Sequence, residues 1–194
     1  PLPLCVSRAL DRQITASQGT EHWQAMRARL KITGTSAGRL ATLHGYTLVK
    51  ARAEMAANVP VPENEAMRHG SKYEATARDI YRGANPGVTV IVPGLILKTE
   101  ETGCSVDGIV VSQDKTTGWA LELKCPHRPG PLPRTPHPAH VAQCVWNMYC
   151  TGLTQHPAHL MYARIVPDEV DTTAPVLASG DGWRLLETAL FEIH

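Results

Sequence analysis

The chain has 194 residues, 43% hydrophobic and 19% charged, enough for one domain with a real core and too apolar for wholesale disorder. No run of about 18 apolar residues occurs, so no transmembrane helix is expected, and Pro1-Leu2-Pro3-Leu4 lacks the basic and apolar regions of a signal peptide. Nineteen basic against 18 acidic residues leave a net charge of +1, so any basic surface has to be local.

In chain order, residues 1–18 read as an N-terminal extension. Trp23, Met26 and Leu30 share a stripe, which predicts a helix over 19–31 with Thr20 as its N-cap. The small-residue turn 32–38 feeds a short helix through Leu40 and Leu43. A further helix over 47–57 stops at the Pro-containing segment 58–62. Residues 63–82 read as a long helix, interrupted or kinked at Gly70 and ended by Gly83. Three strands are expected at 88–97, 104–112 and 118–124, with residues 114–118 turning between the last two. The Pro-rich stretch 126–138 is a surface loop. Helical spacing returns at 139–150, a strand at 159–166, and a closing helix at 183–192. This order predicts an α/β (or α+β) domain with a central mixed sheet flanked by helices. Residues 167–194 form its C-terminal segment.

Cys5, Cys104, Cys125, Cys144 and Cys150 are odd in number and contain no CxxC, which argues against a disulfide framework, a zinc ribbon or an iron–sulfur site. Reduced thiols point to an intracellular protein. His127, His137, His140, His156 and His159 match no zinc spacing and read as loop and surface residues. Trp119, Trp146 and Trp183 read as core or edge residues. Arg128 and Arg134 read as solvated loop arginines.

The densest chemical signal is Ser105-Val106-Asp107-Gly108 followed by Ala120-Leu121-Glu122-Leu123-Lys124. Alternation in a strand puts Glu122 and Lys124 on one side and Leu121 and Leu123 on the other. Pairing the two segments as a hairpin brings Asp107 and Glu122 within reach of one cation, with an ammonium beside it. Hard oxygen ligands suit Mg²⁺ or Mn²⁺, and the lysine can stabilise charge developing on a phosphoryl group. The same residues also read as an ordinary cross-strand charge pair. Glu74, Arg78 and Tyr81 fall on one face of their helix, where Glu74 and Arg78 form an i,i+4 pair. In the 139–150 helix, His140, Gln143 and Asn147 line a polar face, and Val141, Val145 and Met148 an apolar one.

In this order the segments resemble the PD-(D/E)xK nucleases, and within them the phage lambda exonuclease and YqaJ-type viral recombinase family, relatives of the herpesvirus alkaline nucleases. The resemblance runs from Trp23 to Gly152. It rests on Trp23 and Arg27 before Ile32-Thr33-Gly34-Thr35-Ser36, and on Gly70, Glu74, Ala77, Arg78 and Tyr81. It continues through Ser105-Val106-Asp107-Gly108, then Leu121-Glu122-Leu123-Lys124-Cys125-Pro126. Ala142-Gln143 with Met148-Tyr149 and Thr151-Gly152 complete it.

The resemblance implies a restriction-endonuclease-like core and a Mg²⁺-dependent deoxyribonuclease that digests one strand of linear duplex DNA 5′→3′ for recombination or repair. It implies two metal ions held by Asp107, Glu122 and the Leu123 carbonyl, with Glu74 as a further acidic ligand or supporting group. Lys124 would be the catalytic lysine, and Gln143 would orient it or the water. Arg27, a hydroxyl from Thr35 or Ser36, and Ser105 would hold a terminal 5′-phosphate, with Arg29 the alternative to Arg27. The implied partners are duplex DNA ends, a single-strand annealing protein and further copies of the chain, in the cytoplasm or a host nucleus. The alternatives are an endonuclease of the same fold, an alkaline nuclease that also cuts RNA, and a catalytically silent DNA-binding module.

Overall fold

The computed structural model describes residues 1–14, 20–57, 59, 62–128, 130–170 and 174–194. Its larger sheet has six strands in the order β2 (Thr89–Ile91), β5 (Gly108–Val111), β6 (Gly118–Lys124), β7 (Ala158–Pro167), β9 (Trp183–Ile193) and β8 (Ala178–Gly180). All neighbours are antiparallel except β6 and β7. A parallel pair needs a crossover, and α6 (Pro138–Thr151) supplies it. A second sheet joins β1 (Gln13–Ile14), β3 (Leu95–Leu97) and β4 (Gly103–Cys104).

The pleat of β6 divides the core. Leu121 and Leu123 turn toward α5 (Glu65–Ala84), packing with Tyr73, Ala77 and Tyr81. Ala120 turns the other way, into a cluster with Ile109, Val111, Cys144, Met148 and Cys150 under α6. Helices therefore cover both faces of a mixed sheet, as the element order predicts.

Several boundaries differ from the sequence expectation. Residues 1–18 are not a loose extension where they are described: α1 (Leu4–Leu10) buries Val6 and Ala9 completely in the α6-side cluster. A Cβ on Gly118 would collide with the Val6 side chain, so the two segments are fitted to each other. The expected strand 88–97 breaks into β2 and β3, which join different sheets; Pro93 and Gly94 lie at the break, where a ladder N–H is lost. The expected strand 104–112 likewise stops at Cys104 and resumes at Gly108. Helix α5 runs through Gly70 and Gly83 without stopping, and ends only at the Asn85 C-cap.

The largest correction is at the C-terminus. Residues 183–193 form strand β9, eleven residues long, not a closing helix. Leu, Glu and Ala favour helices, but Leu185 and Ile193 are buried while Thr188, Leu190 and Glu192 are exposed, an alternation that pairs with β7.

The remaining helices are α2 (Glu21–Ala28), α3 (Gly34–Ala41) and α4 (Gly45–Ala56). Thr20 caps α2 as expected, accepting from the Trp23 N–H at 3.3 Å. Gly19 and residues 58, 60 and 61, parts of the expected first helix and of the expected stop, lie outside the described residues, as does Pro129 in the Pro-rich loop.

Candidate active site

A cleft of about 430 Å³ opens where α2, α3, α5, α6 and the ends of β5 and β6 converge. Its lining includes Arg27, Thr35, Glu74, Ser105, Asp107, Glu122, Leu123, Lys124 and Gln143. Thus six segments of the chain are brought together around one space.

The break between β4 and β5 positions Asp107. The β5–β6 ladder starts at Gly108 opposite Leu121, so the Leu123 N–H has no strand partner on that side. Asp107 takes it, accepting at Oδ2 over 2.6 Å. On the other side, the Arg78 guanidinium donates from Nε to the Asp107 carbonyl at 2.9 Å and from Nη2 to Glu74 Oε1 at 2.5 Å. Arg78 is therefore more than one half of a surface i,i+4 pair. It is a buried strut that ties α5 to the Asp107 turn.

Glu122 points to the α6 side and is only 2% exposed. Its Oε1 accepts from Lys124 Nζ at 2.5 Å and from Gln143 Nε2 at 2.6 Å, and its Oε2 from Asn147 Nδ2 at 2.8 Å. Buried carboxylates need such donors, and charge-assisted bonds are the strong ones. The sequence places Asn147 beside Gln143 but gives it no role; its spacing of one helical turn from Gln143 was the available signal. Gly34 makes room for it, since a Cβ there would lie 2.6 Å from Asn147 Oδ1.

The charges in the cleft act on one another. Burial first, then Glu122 and Glu74, raise the Asp107 carboxyl well above the usual carboxylate range, against the opposing pull of Lys124 and the Leu123 N–H. Burial also raises Glu74, with Arg78 opposing. For Lys124, burial works against the ammonium, but Glu122 and Asp107 outweigh it and hold it charged. An acidic pocket that carries this much mutual repulsion has an electrostatic demand for a cation.

The donor set suits a hard divalent ion. Asp107 Oδ1 has no hydrogen-bond donor among the described residues. Together with Glu122 and the main chain at Leu123 it offers oxygen ligands only. Among the described residues no three His, Cys, Asp or Glu side chains group as a metal cage. Two carboxylates with water and substrate oxygens are what Mg²⁺ ordinarily uses. Glu74 lines the same cleft, with one oxygen committed to Arg78.

The basic end is sparser. Arg27 packs its guanidinium 4.9 Å from the Trp23 ring centroid and finds no acidic partner among the described residues. Burial lowers its pKa, and Asp107 and Glu122 pull it back up. Ser105 Oγ is buried without a hydrogen-bond partner among the described residues. Thr35 is exposed to the cleft. Ser36 does not line it; instead it closes a capping box at the start of α3, where its Oγ accepts the Thr33 N–H at 2.7 Å. Arg29 is exposed and lies outside the cleft, against Met26.

The fold has solved counterparts. The crystal structure of an alkaline exonuclease, LHK-Exo, from Laribacter hongkongensis aligns with a TM-score of 0.60 at 22% identity, covering 90% of this chain and 81% of that one. The same protein in complex with dAMP gives 0.58 at 22% identity, covering 90% and 83%. The fold is therefore that of the PD-(D/E)xK nucleases, a mixed sheet flanked by helices. A comparison with curated proteins gives no match. Residues 22–154 match the YqaJ-like viral recombinase domain, a span that holds every cleft residue named above, and the chain belongs to that family.

Proposed function

We propose that this protein is a divalent-metal-dependent deoxyribonuclease that digests one strand of linear duplex DNA from its 5′ end. The observation that carries the reading is the Asp107–Glu122–Lys124 cluster. Its two carboxyl groups are buried, it is tied by hydrogen bonds on three sides, and it opens to a cleft that also holds an arginine with no acidic partner among the described residues. Membership in a viral recombinase family supports a nuclease.

Asp107, Glu122 and the Leu123 carbonyl would hold Mg²⁺, with Mn²⁺ a substitute and two ions in the full site; Glu74 would act as a further acidic group. When bound, the ions supply positive charge against the phosphate and make water easier to deprotonate. Lys124 keeps its ammonium beside Glu122 and stabilises the negative charge that develops on the phosphoryl oxygens. Gln143 and Asn147 fix the Glu122 carboxylate so that it need not reorganise during the reaction. Arg78 fixes the Asp107 backbone from the opposite side.

At the basic end, Arg27, Thr35 and Ser105 would receive a terminal 5′-phosphate. A guanidinium offers paired donors to a phosphate, and the Ser105 hydroxyl, without a hydrogen-bond partner among the described residues, adds another. The product class is a nucleoside 5′-monophosphate, the kind of molecule that the Laribacter protein is seen to bind. In this reading residues 1–194 act as one nuclease domain, with 19–166 as its core. It works inside the cell in recombination or repair, alongside an annealing protein and further copies of the chain. No helix among the described residues is long and apolar enough to cross a membrane.

The test is digestion of linear duplex, nicked circle, closed circle and RNA in Mg²⁺, followed by product sizing. Mononucleotides from the linear duplex alone support the reading; cutting of closed circles contradicts it.

A further inference from the structure

Beyond the residues already given roles, the cleft holds one polar side chain whose hydrogen bonding is half complete. His140 lies one helical turn before Gln143 and lines the same cleft. Its Nδ1 lies 2.7 Å from the Tyr162 hydroxyl, and the His137 N–H donates to that same hydroxyl at 3.1 Å.

These two contacts decide the tautomer. Tyr162 is buried, 3% exposed, and its hydroxyl has no other partner among the described residues. If His140 carried its proton on Nδ1, the phenol oxygen would accept twice and its own proton would have no protein acceptor among the described residues. With the phenol donating to Nδ1, the hydroxyl and Nδ1 are both satisfied and the imidazole proton sits on Nε2. That nitrogen has no protein acceptor among the described residues, and it is not sealed from solvent.

We propose that His140 Nε2 is a preset neutral hydrogen-bond donor for a phosphate oxygen of the DNA strand lying in the cleft. The proposal rests on the nuclease reading above and adds a substrate-binding residue to it. Burial first, then Lys124 and His137, push the imidazole down to about 4, so the donor stays uncharged. A second full cation beside Lys124 would repel it; a neutral N–H avoids that while still reaching an anionic oxygen. Tyr162 serves as the positioning residue, holding the ring and its tautomer from behind, as second partners do for other functional histidines.

The test exploits atom identity. Glutamine places an amide N–H near the Nε2 position, whereas asparagine reaches only the Nδ1 position. Wild type, His140→Ala, His140→Asn and His140→Gln are compared on a 5′-phosphorylated linear duplex, for kcat/KM in Mg²⁺ and for Kd in Ca²⁺. Ala and Asn should each lose roughly ten- to hundred-fold in both, the value of one hydrogen bond to a charged group, and Gln should recover most of it. If His140→Ala fails to fold, the contrast between Gln and Asn carries the test. Wild-type behaviour in the Ala variant overturns the proposal, as does a functional Asn beside a defective Gln. A wild type that binds duplex but does not cut it removes the nuclease reading and leaves the Kd series to decide on His140. One that neither binds nor cuts removes both.

Discussion

At the sheet end of the cleft Glu122 accepts three hydrogen bonds, while at the α2 end Arg27 finds no acidic partner and Ser105 Oγ no hydrogen-bond partner among the described residues. The two regions share one cavity and differ in what completes them. The acidic end is organised by the protein itself: the Leu123 N–H, Gln143 and Asn147 each fix one edge of a carboxyl group, and Arg78 holds the Asp107 carbonyl and the Glu74 carboxylate. The basic end has donors in place and nothing to receive them. A preorganised charge cluster beside unsatisfied donors is what a site needs when chemistry happens at one end and substrate is gripped at the other.

The largest effect should come from the organised end. Lys124→Ala and Glu122→Gln should each lower Mg²⁺-dependent cleavage by at least about a hundred- to thousand-fold, with DNA binding in Ca²⁺ retained. Single-turnover kinetics and a binding titration check this pair of outcomes. Near wild-type cleavage by Lys124→Ala would dissolve the distinction between the two ends.

Asn147 tests how far that organisation matters. Asn147→Ala leaves Glu122 Oε2 without its donor in a buried place, which costs about 1.5–3 kcal/mol for a bond to a charged group. Denaturant unfolding should show the loss, and cleavage should fall roughly tenfold or more by the same energy. Gln143→Ala should behave alike, since it serves the other oxygen.

The acidic end also predicts a pH effect. Asp107 and Glu74 are held above their ordinary values, mainly by burial, so the folded protein binds protons more readily than the unfolded chain. Stability of the metal-free protein should therefore fall as pH rises through and above the ordinary carboxylate range. Lys124 is shifted upward too, and its contribution is lost only far on the alkaline side. Mg²⁺ should reduce the fall, because a bound cation favours the ionised carboxylates. Melting curves in chelator and in Mg²⁺ at several pH values measure this; a stability that rises with pH in chelator contradicts it.

The smallest effect separates two neighbouring hydroxyls. Ser36→Ala should cost about 0.5–2 kcal/mol in stability through the lost capping box, with no change in preference for phosphorylated ends. Thr35→Ala should do the reverse.

These residues also show what a sequence discloses. Asp107, Glu122 and Lys124 were legible because strand alternation and a short turn bring them together within a single hairpin. The gathering of Glu74, Gln143, Arg27 and Ser105 around them was implied by family resemblance, not by local pattern, since each comes from a different element. Arg78 and Asn147 were visible as polar positions but not as supports, because their partners are 29 and 25 residues away. The closing strand is hidden in the sequence for a related reason. Residues 183–193 have helical propensity, and the long partner β7, with β8 on the other edge, makes the strand the better state. Residues 1–18 read as an extension in sequence because the short helix within them shows its worth only when Val6 meets Gly118.

The most direct test of the two-ended cleft crosses the enzyme variants with the chemistry of the DNA end. Wild type, Lys124→Ala and Arg27→Ala are each given the same linear duplex with a 5′-phosphate or a 5′-hydroxyl, and initial rates are measured in Mg²⁺. The account predicts that wild type prefers the phosphorylated end by roughly ten- to hundred-fold, the value of a charge-assisted contact. Arg27→Ala should lower only that rate, to the hydroxyl level, while Lys124→Ala abolishes both. Equal rates on the two ends for wild type, or an Arg27→Ala enzyme that keeps the preference, would contradict it.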